Sequence, residues 1–157
     1  MRRTDSGHHT IRAPRGAVYR ALVDPRSLEE WLPPEGMTGR VERFDARPGG
    51  GYRMVLAYRD PGHGKSSDDT DVVEAEFAEL VPDERVVQRV VFEADDPAFS
   101  GTMTMTWQLE DTDGGTRVTI RAVDVPSGIS QRDHEAGLAS SLANLAAHVE
   151  PQPRQED

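Results

Sequence analysis

The chain has no cysteine, one lysine and no long apolar run among its 157 residues. Without cysteine there are no disulfides, thiolate nucleophiles or cysteine-based zinc and iron–sulfur sites. No stretch approaches the roughly 18 consecutive apolar residues that a membrane span requires. Arg2-Arg3 is followed by the polar run Thr4 to His9 rather than the apolar core of an export signal, so a soluble, cytoplasmic protein is the expectation. Basic charge is also scarce: 18 basic residues face 28 acidic ones, for a formal net charge of −10. Such a surface releases few counterions from a phosphate backbone, which argues against nucleic acid as a partner. Aromatic residues are only 6% of the chain, so most of the large apolar side chains are expected to face one interior.

What is present is a clear change of period along the chain. His8 to Ala13 reads as a first strand with Ile11 inward. Pro14 suits a first helical position, and Ala17, Val18, Ala21 and Leu22 form the stripe of a short helix. Asp24-Pro25 starts a second one, Ser27 to Leu32, which Pro33-Pro34 closes. Strands follow at Val41–Ala46, at Tyr52 to Tyr58, at Val72–Val81 and at Arg85–Glu93. Turn residues separate them, notably Arg47-Pro48-Gly49-Gly50-Gly51. Thr102 to Leu109 alternates most cleanly, with Met103, Met105, Trp107 and Leu109 on one side and threonines and Gln108 on the other. Asp113-Gly114-Gly115 marks a hairpin into Val118, Ile120 and Ala122.

After Pro126-Ser127-Gly128 the period becomes helical. Leu138, Leu142, Leu145 and Val149 share a face, Ser130 with Asp133 resembles a capping box, and Pro151 stops the helix. At about 1.5 Å per residue this rod is near 30 Å, long enough to cross a sheet. The expected architecture is α+β: a curved antiparallel sheet of about seven strands, two short helices after the first strand, and a long C-terminal helix over the concave face. One domain is expected over residues 1–150, with residues 151–157 as a disordered tail.

Four segments together resemble the START-like superfamily, also called SRPBCC or the birch-pollen-allergen fold. They are Ile11 to Pro14 with Val18 to Leu22, Asp24-Pro25 through Trp31-Leu32, Arg47 to Tyr52, and Gly114 to Thr119. Within it the chain is most similar to the ATPase-activator homologues related to the C-terminal domain of the activator of the ninety-kilodalton heat-shock protein. The resemblance covers Thr10 to Val149 and implies a helix-grip fold with a cavity between sheet and helix. Members bind hydrophobic molecules, and some are cyclases, co-chaperone modules or antibiotic-sequestering proteins. Fold alone does not choose between these. Many members carry an aromatic residue, usually Trp, after the glycine of the last helix, where this chain has Leu138 after Gly137. That departure implies a larger pocket or an altered selectivity.

Most motifs with possible chemistry have a plainer reading. Gly64-Lys65-Ser66 lacks the first glycine of a phosphate-binding loop and precedes a strand. Asp68, Asp69 and Asp71 lack calcium-loop spacing and read as a solvated loop, together with His63. His8 and His9 would point to opposite faces of a strand, so they cannot share a metal. Ser140 and Ser141 have no base beside them, and His134 has no partner acid at helical spacing other than its neighbours Asp133 and Glu135. No catalytic residue, metal or cofactor is therefore expected.

The large apolar residues remain, and one helix cannot fill the hollow of so wide a sheet. The expected ligand-binding set is Trp31, Tyr52, Met54, Met105, Trp107, Leu138 and Leu142, with Tyr58 and His134 orienting polar groups. The expected function is binding of a hydrophobic small molecule, aromatic or polyketide-like, by a monomer or homodimer. A cyclase, aromatase or hydrolase of the same fold and a co-chaperone-like interaction module are the alternatives.

Overall fold

A computed structural model describes residues 3–33, 36–58, 70–92 and 101–150. Its elements are β1 (Thr4–Ile11), α1 (Arg15–Leu22), α2 (Pro25–Trp31), β2 (Met37–Asp45), β3 (Gly51–Tyr58), β4 (Thr70–Val81), β5 (Arg85–Phe92), β6 (Gly101–Thr112), β7 (Gly115–Val123) and α3 (Gln131–Val149). The seven strands form one antiparallel sheet in the order β1-β7-β6-β5-β4-β3-β2. The expected element order and fold class hold. The expected mobile loop with His63, Lys65, Asp68 and Asp69, and the expected tail, lie outside the described residues.

Alternation puts the expected residues inside. Met103, Trp107 and Leu109 are buried on β6, as are Val118, Ile120 and Ala122 on β7 and Tyr52, Met54 and Leu56 on β3. The outer face carries cross-strand ion pairs instead, such as Arg53 to Glu74 (2.6 Å) and Arg89 to Glu76 (2.8 Å). A two-residue hairpin at Asp113-Gly114 joins β6 to β7, with Gly114 at φ +85°.

Helix starts differ slightly from expectation. Pro14 is the N-cap of α1, its ψ of 156° still extended, rather than the first helical residue. Asp24 caps α2 by accepting from the Ser27 N–H (3.0 Å), which leaves Pro25 in the first turn, where no N–H is needed. Ser130 caps α3 by accepting from the Asp133 N–H (3.0 Å), as its sequence suggests.

The larger difference is β1, which begins at Thr4 rather than His8. Its inward positions there are Asp5 and Gly7, paired across to Ala122 and Ile120. Neither is a hydrophobic residue, so alternation could not reveal them. A Cβ on Gly7 would lie 3.4 Å from Leu138 Cβ and 3.6 Å from Leu142 Cδ1, ordinary packing distances, so α3 lies directly against this strand with room for little more than a methyl group.

α3 therefore lies along β1, in the same direction. The Ser6 N–H donates to Glu135 (3.0 Å) and the Arg12 N–H to Glu150 (2.9 Å). The helix between those glutamates, roughly 22 Å, matches the roughly 20 Å of chain between Ser6 and Arg12 at about 1.5 and 3.3 Å per residue. On the opposite edge Glu29 of α2 accepts from the Val41 N–H (2.8 Å), beside a bulge in β2. Carboxylates from helices thus occupy N–H groups on both outer strands that another strand would otherwise recruit. α1 packs beneath β5, β6 and β7, and α2 against β2 and α3, so all three helices cover the inner face rather than α3 alone.

Candidate ligand cavity

With α3 held to one flank and α2 to the other, the middle of the sheet is left incompletely covered. A cavity of about 260 Å³ opens there between α2, α3 and the inner faces of β3 to β7. It interrupts the core. Met103, Ala122 and Val125 form a small apolar cluster separate from the main one, and Val90 and Met105, which pack against both, face the void. Among the described residues Val72 and Val91 are the exposed large hydrophobic ones, and they sit at its rim.

Five of the nine expected residues lie in its wall: Trp31, Tyr52, Met105, Trp107 and Leu138. Trp31 ends α2 and donates its indole N–H to the Ala21 carbonyl (2.9 Å), a buried bond that ties α2 to α1. Its ring meets Trp107 edge to face, centroids 5.7 Å apart and planes at 75°. Trp107 in turn donates to the side-chain oxygen of Gln88 (3.2 Å). Gln88 also hydrogen-bonds the Tyr52 hydroxyl, whose pKa burial pushes up to about 12 despite that bond. The phenol therefore stays neutral across the physiological range.

The others lie elsewhere. Met54 and Leu142 have no exposed surface and belong to the packed core, not to the cavity wall. Tyr58 is a β3 residue whose side chain lies outside the described set. His134 is also absent from the wall. Its Nδ1 lies 2.7 Å from the carboxylate of Asp5, which is fully buried. Arg3 grips the same carboxylate through Nε (3.0 Å) and Nη2 (2.7 Å). The Arg3 hydrogen bond, followed by that of His134, holds Asp5 below the usual carboxylate range against the opposing effect of burial. His134 thus does have an acid partner, 129 residues away in sequence. With both oxygens of Asp5 engaged, the arrangement anchors the first turn of α3.

Two wall residues with polar chemistry lie outside the expected binding set, Gln88, which sequence reasoning missed, and Ser141, which it set aside as lacking a base. Gln88 interrupts Val86 and Val90 at an inward position of β5, and a lone amide between valines was the available signal. Ser141 lies on the same face of α3 as Leu138, one turn on, and reaches the void instead of solvent. Larger hollows exist on the outside of the sheet, such as one of about 520 Å³ lined by Thr106, Gln108, Glu110, Arg117, Thr119 and Arg121. That one is an open basin between polar strand side chains, without an apolar wall to hold a guest. Among the described residues no three His, Asp or Glu side chains converge as a metal site would require. None of the described helices is long and apolar enough to cross a membrane.

Comparison with known proteins agrees with this geometry. Residues 12–150 match the family described as Activator of Hsp90 ATPase homolog 1-like protein. The crystal structure of a protein from Chromobacterium violaceum is 34% identical and superposes with a TM-score of 0.81, covering 95% of this chain and 98% of that one. The solution structure of an AHSA1-like protein from Aeromonas hydrophila is 18% identical, with a TM-score of 0.72 over 98% of this chain and all (100%) of that one. A Staphylococcus epidermidis protein, at 19% identity and a TM-score of 0.74, covers 98% of this chain and 95% of its own. The last two likenesses bear on fold alone. No curated protein matches the sequence.

Proposed function

The chain belongs to the family of Activator of Hsp90 ATPase homolog 1-like proteins, and from that premise we propose that it binds a small, largely apolar molecule in the cavity between α3 and the sheet. The observation that carries the proposal is a void of about 260 Å³ walled by both tryptophans of the chain and bordered by exposed valines. An apolar cavity of about 150 Å³ is enough to hold benzene, and drug-sized ligands occupy about 300–1,000 Å³. The volume thus favours one or two rings over an extended polyketide. Burial of such a guest supplies the driving force, and Met105 supplies a wall that adapts to its shape.

A cyclase- or hydrolase-like reading would need an acid–base group at the cavity wall. Tyr52, kept neutral, is a poor one, and the His134–Asp5 pair lies outside the wall. Binding is the better-supported function.

Because both tryptophans border the void, intrinsic fluorescence reports directly on occupancy. Titration with a panel of one- and two-ring aromatic compounds is expected to give saturable, one-to-one quenching for at least one of them. If every compound leaves the emission unchanged, and native mass spectrometry finds no adduct, the binding function is wrong.

A further inference from the structure

The polar groups of this cavity are few, and they are uncharged. Its described wall contains no Asp, Glu, Lys, Arg or His, only the Tyr52 hydroxyl, the Gln88 amide, two indole N–H groups and the Ser141 hydroxyl. Both indoles are already committed, Trp31 to the Ala21 carbonyl and Trp107 to Gln88. An indole N–H can only donate, so the Gln88 oxygen must be the atom facing Trp107, and this fixes which way round the amide sits. Its NH₂ group is then turned to the other side. A primary amide has two donors and two acceptor lone pairs, and the contacts to Trp107 and Tyr52 use only two of those four. Gln88 is 5% exposed, so its spare capacity lies where bulk water is scarce and a guest oxygen would be its natural partner.

A charged guest meets the opposite situation. Moving a carboxylate or ammonium group into a wall of leucine, valine and tryptophan strips its hydration, and none of the described wall residues returns a counter-charge. Resting on the cavity-binding reading above, we propose that the site selects uncharged aromatic molecules that present a hydrogen-bonding oxygen to Gln88, and rejects acids and amines of the same shape.

Isothermal calorimetry on the full chain at neutral pH, with four probes on one ring system, tests this. The probes are naphthalene, acetylnaphthalene, naphthoate and naphthylmethylammonium. Acetylnaphthalene should bind about five- to tenfold more tightly than naphthalene, the worth of one neutral hydrogen bond. Both ions should bind about a hundredfold or more weakly than acetylnaphthalene. Gln88→Leu should bring naphthalene and acetylnaphthalene to equal affinity. The proposal is overturned if either ion binds as well as the ketone, or if the ketone keeps its advantage in Gln88→Leu. The ion comparison uses the unaltered chain, so it decides the charge preference even if that variant does not fold. Failure of all four probes, naphthalene included, would instead remove the cavity-binding reading itself.

Discussion

The two sides of α3 make opposite contacts with one sheet. Toward β1 the helix is close: Gly7 lies under Leu138 and Leu142, the interior residues Ile11, Leu142 and Leu145 have no exposed surface, and Asp5 is held by Arg3 and His134. Toward β5 and β6 the same helix presents Leu138 and Ser141 to an empty space. Both regions are built from apolar side chains, so composition does not distinguish them. Anchoring does. Two glutamates and one histidine fix α3 to the β1 flank, and the bulk of Trp31 against Trp107 occupies the ground between α2 and the sheet centre. A helix so tethered cannot slide inward to close the gap.

The contrast can be broken by mutation, most strongly on the packed side. Leu142→Ala should cost about 3–4 kcal/mol in urea unfolding, since a fully buried leucine leaves a new hole in a tight region. Equal costs for Leu142→Ala and a wall residue would show that the two regions are not packed differently.

Asp5→Asn should cost about 2 kcal/mol at neutral pH, through weakened charge-assisted bonds to Arg3 and His134. Its pH dependence has a definite sign. The folded-state pKa lies below the unfolded carboxylate value of about 3.9, so the extra stability is present above that value. It is lost as pH falls through the folded value, and the wild-type advantage over Asp5→Asn should shrink in acid. A gap that stays constant from neutral pH to strong acid would contradict the ion-pair account.

Met105→Ala should cost less, about 1–2 kcal/mol, because its side chain already borders a void and forfeits fewer contacts. The smallest effect is a gain. Ser141→Leu places a larger apolar side chain into the cavity from a helical position and should stabilise the chain by about 0.5–1 kcal/mol. The same change should abolish naphthalene binding, and calorimetry reads both outcomes.

Much of this fold can be read from periodicity. Alternation on β3, β6 and β7, the glycines at 49–51 and 114–115, and the leucine spacing of α3 each point to the element that forms there. Periodicity reports which face a side chain takes, not how deep it lies. Met54 and Leu142 share faces with cavity residues yet belong to solid core. The first half of β1 is hidden for a related reason, since its inward residues are a paired aspartate and a contact glycine. Partners distant in sequence were likewise out of reach. Nothing local to His134 indicates Asp5, and nothing local to Gln88 indicates Trp107 and Tyr52.

The central claim is that the space between the tryptophans accepts a guest. Crystals of the full chain soaked with bromonaphthalene test it directly, because anomalous scattering from bromine locates the molecule without prior assumption. The account predicts a bromine peak in contact with Trp31, Met105 or Trp107. A peak found only on the outer face of the sheet, or an interior closed around those side chains with no room for the ring, would contradict it.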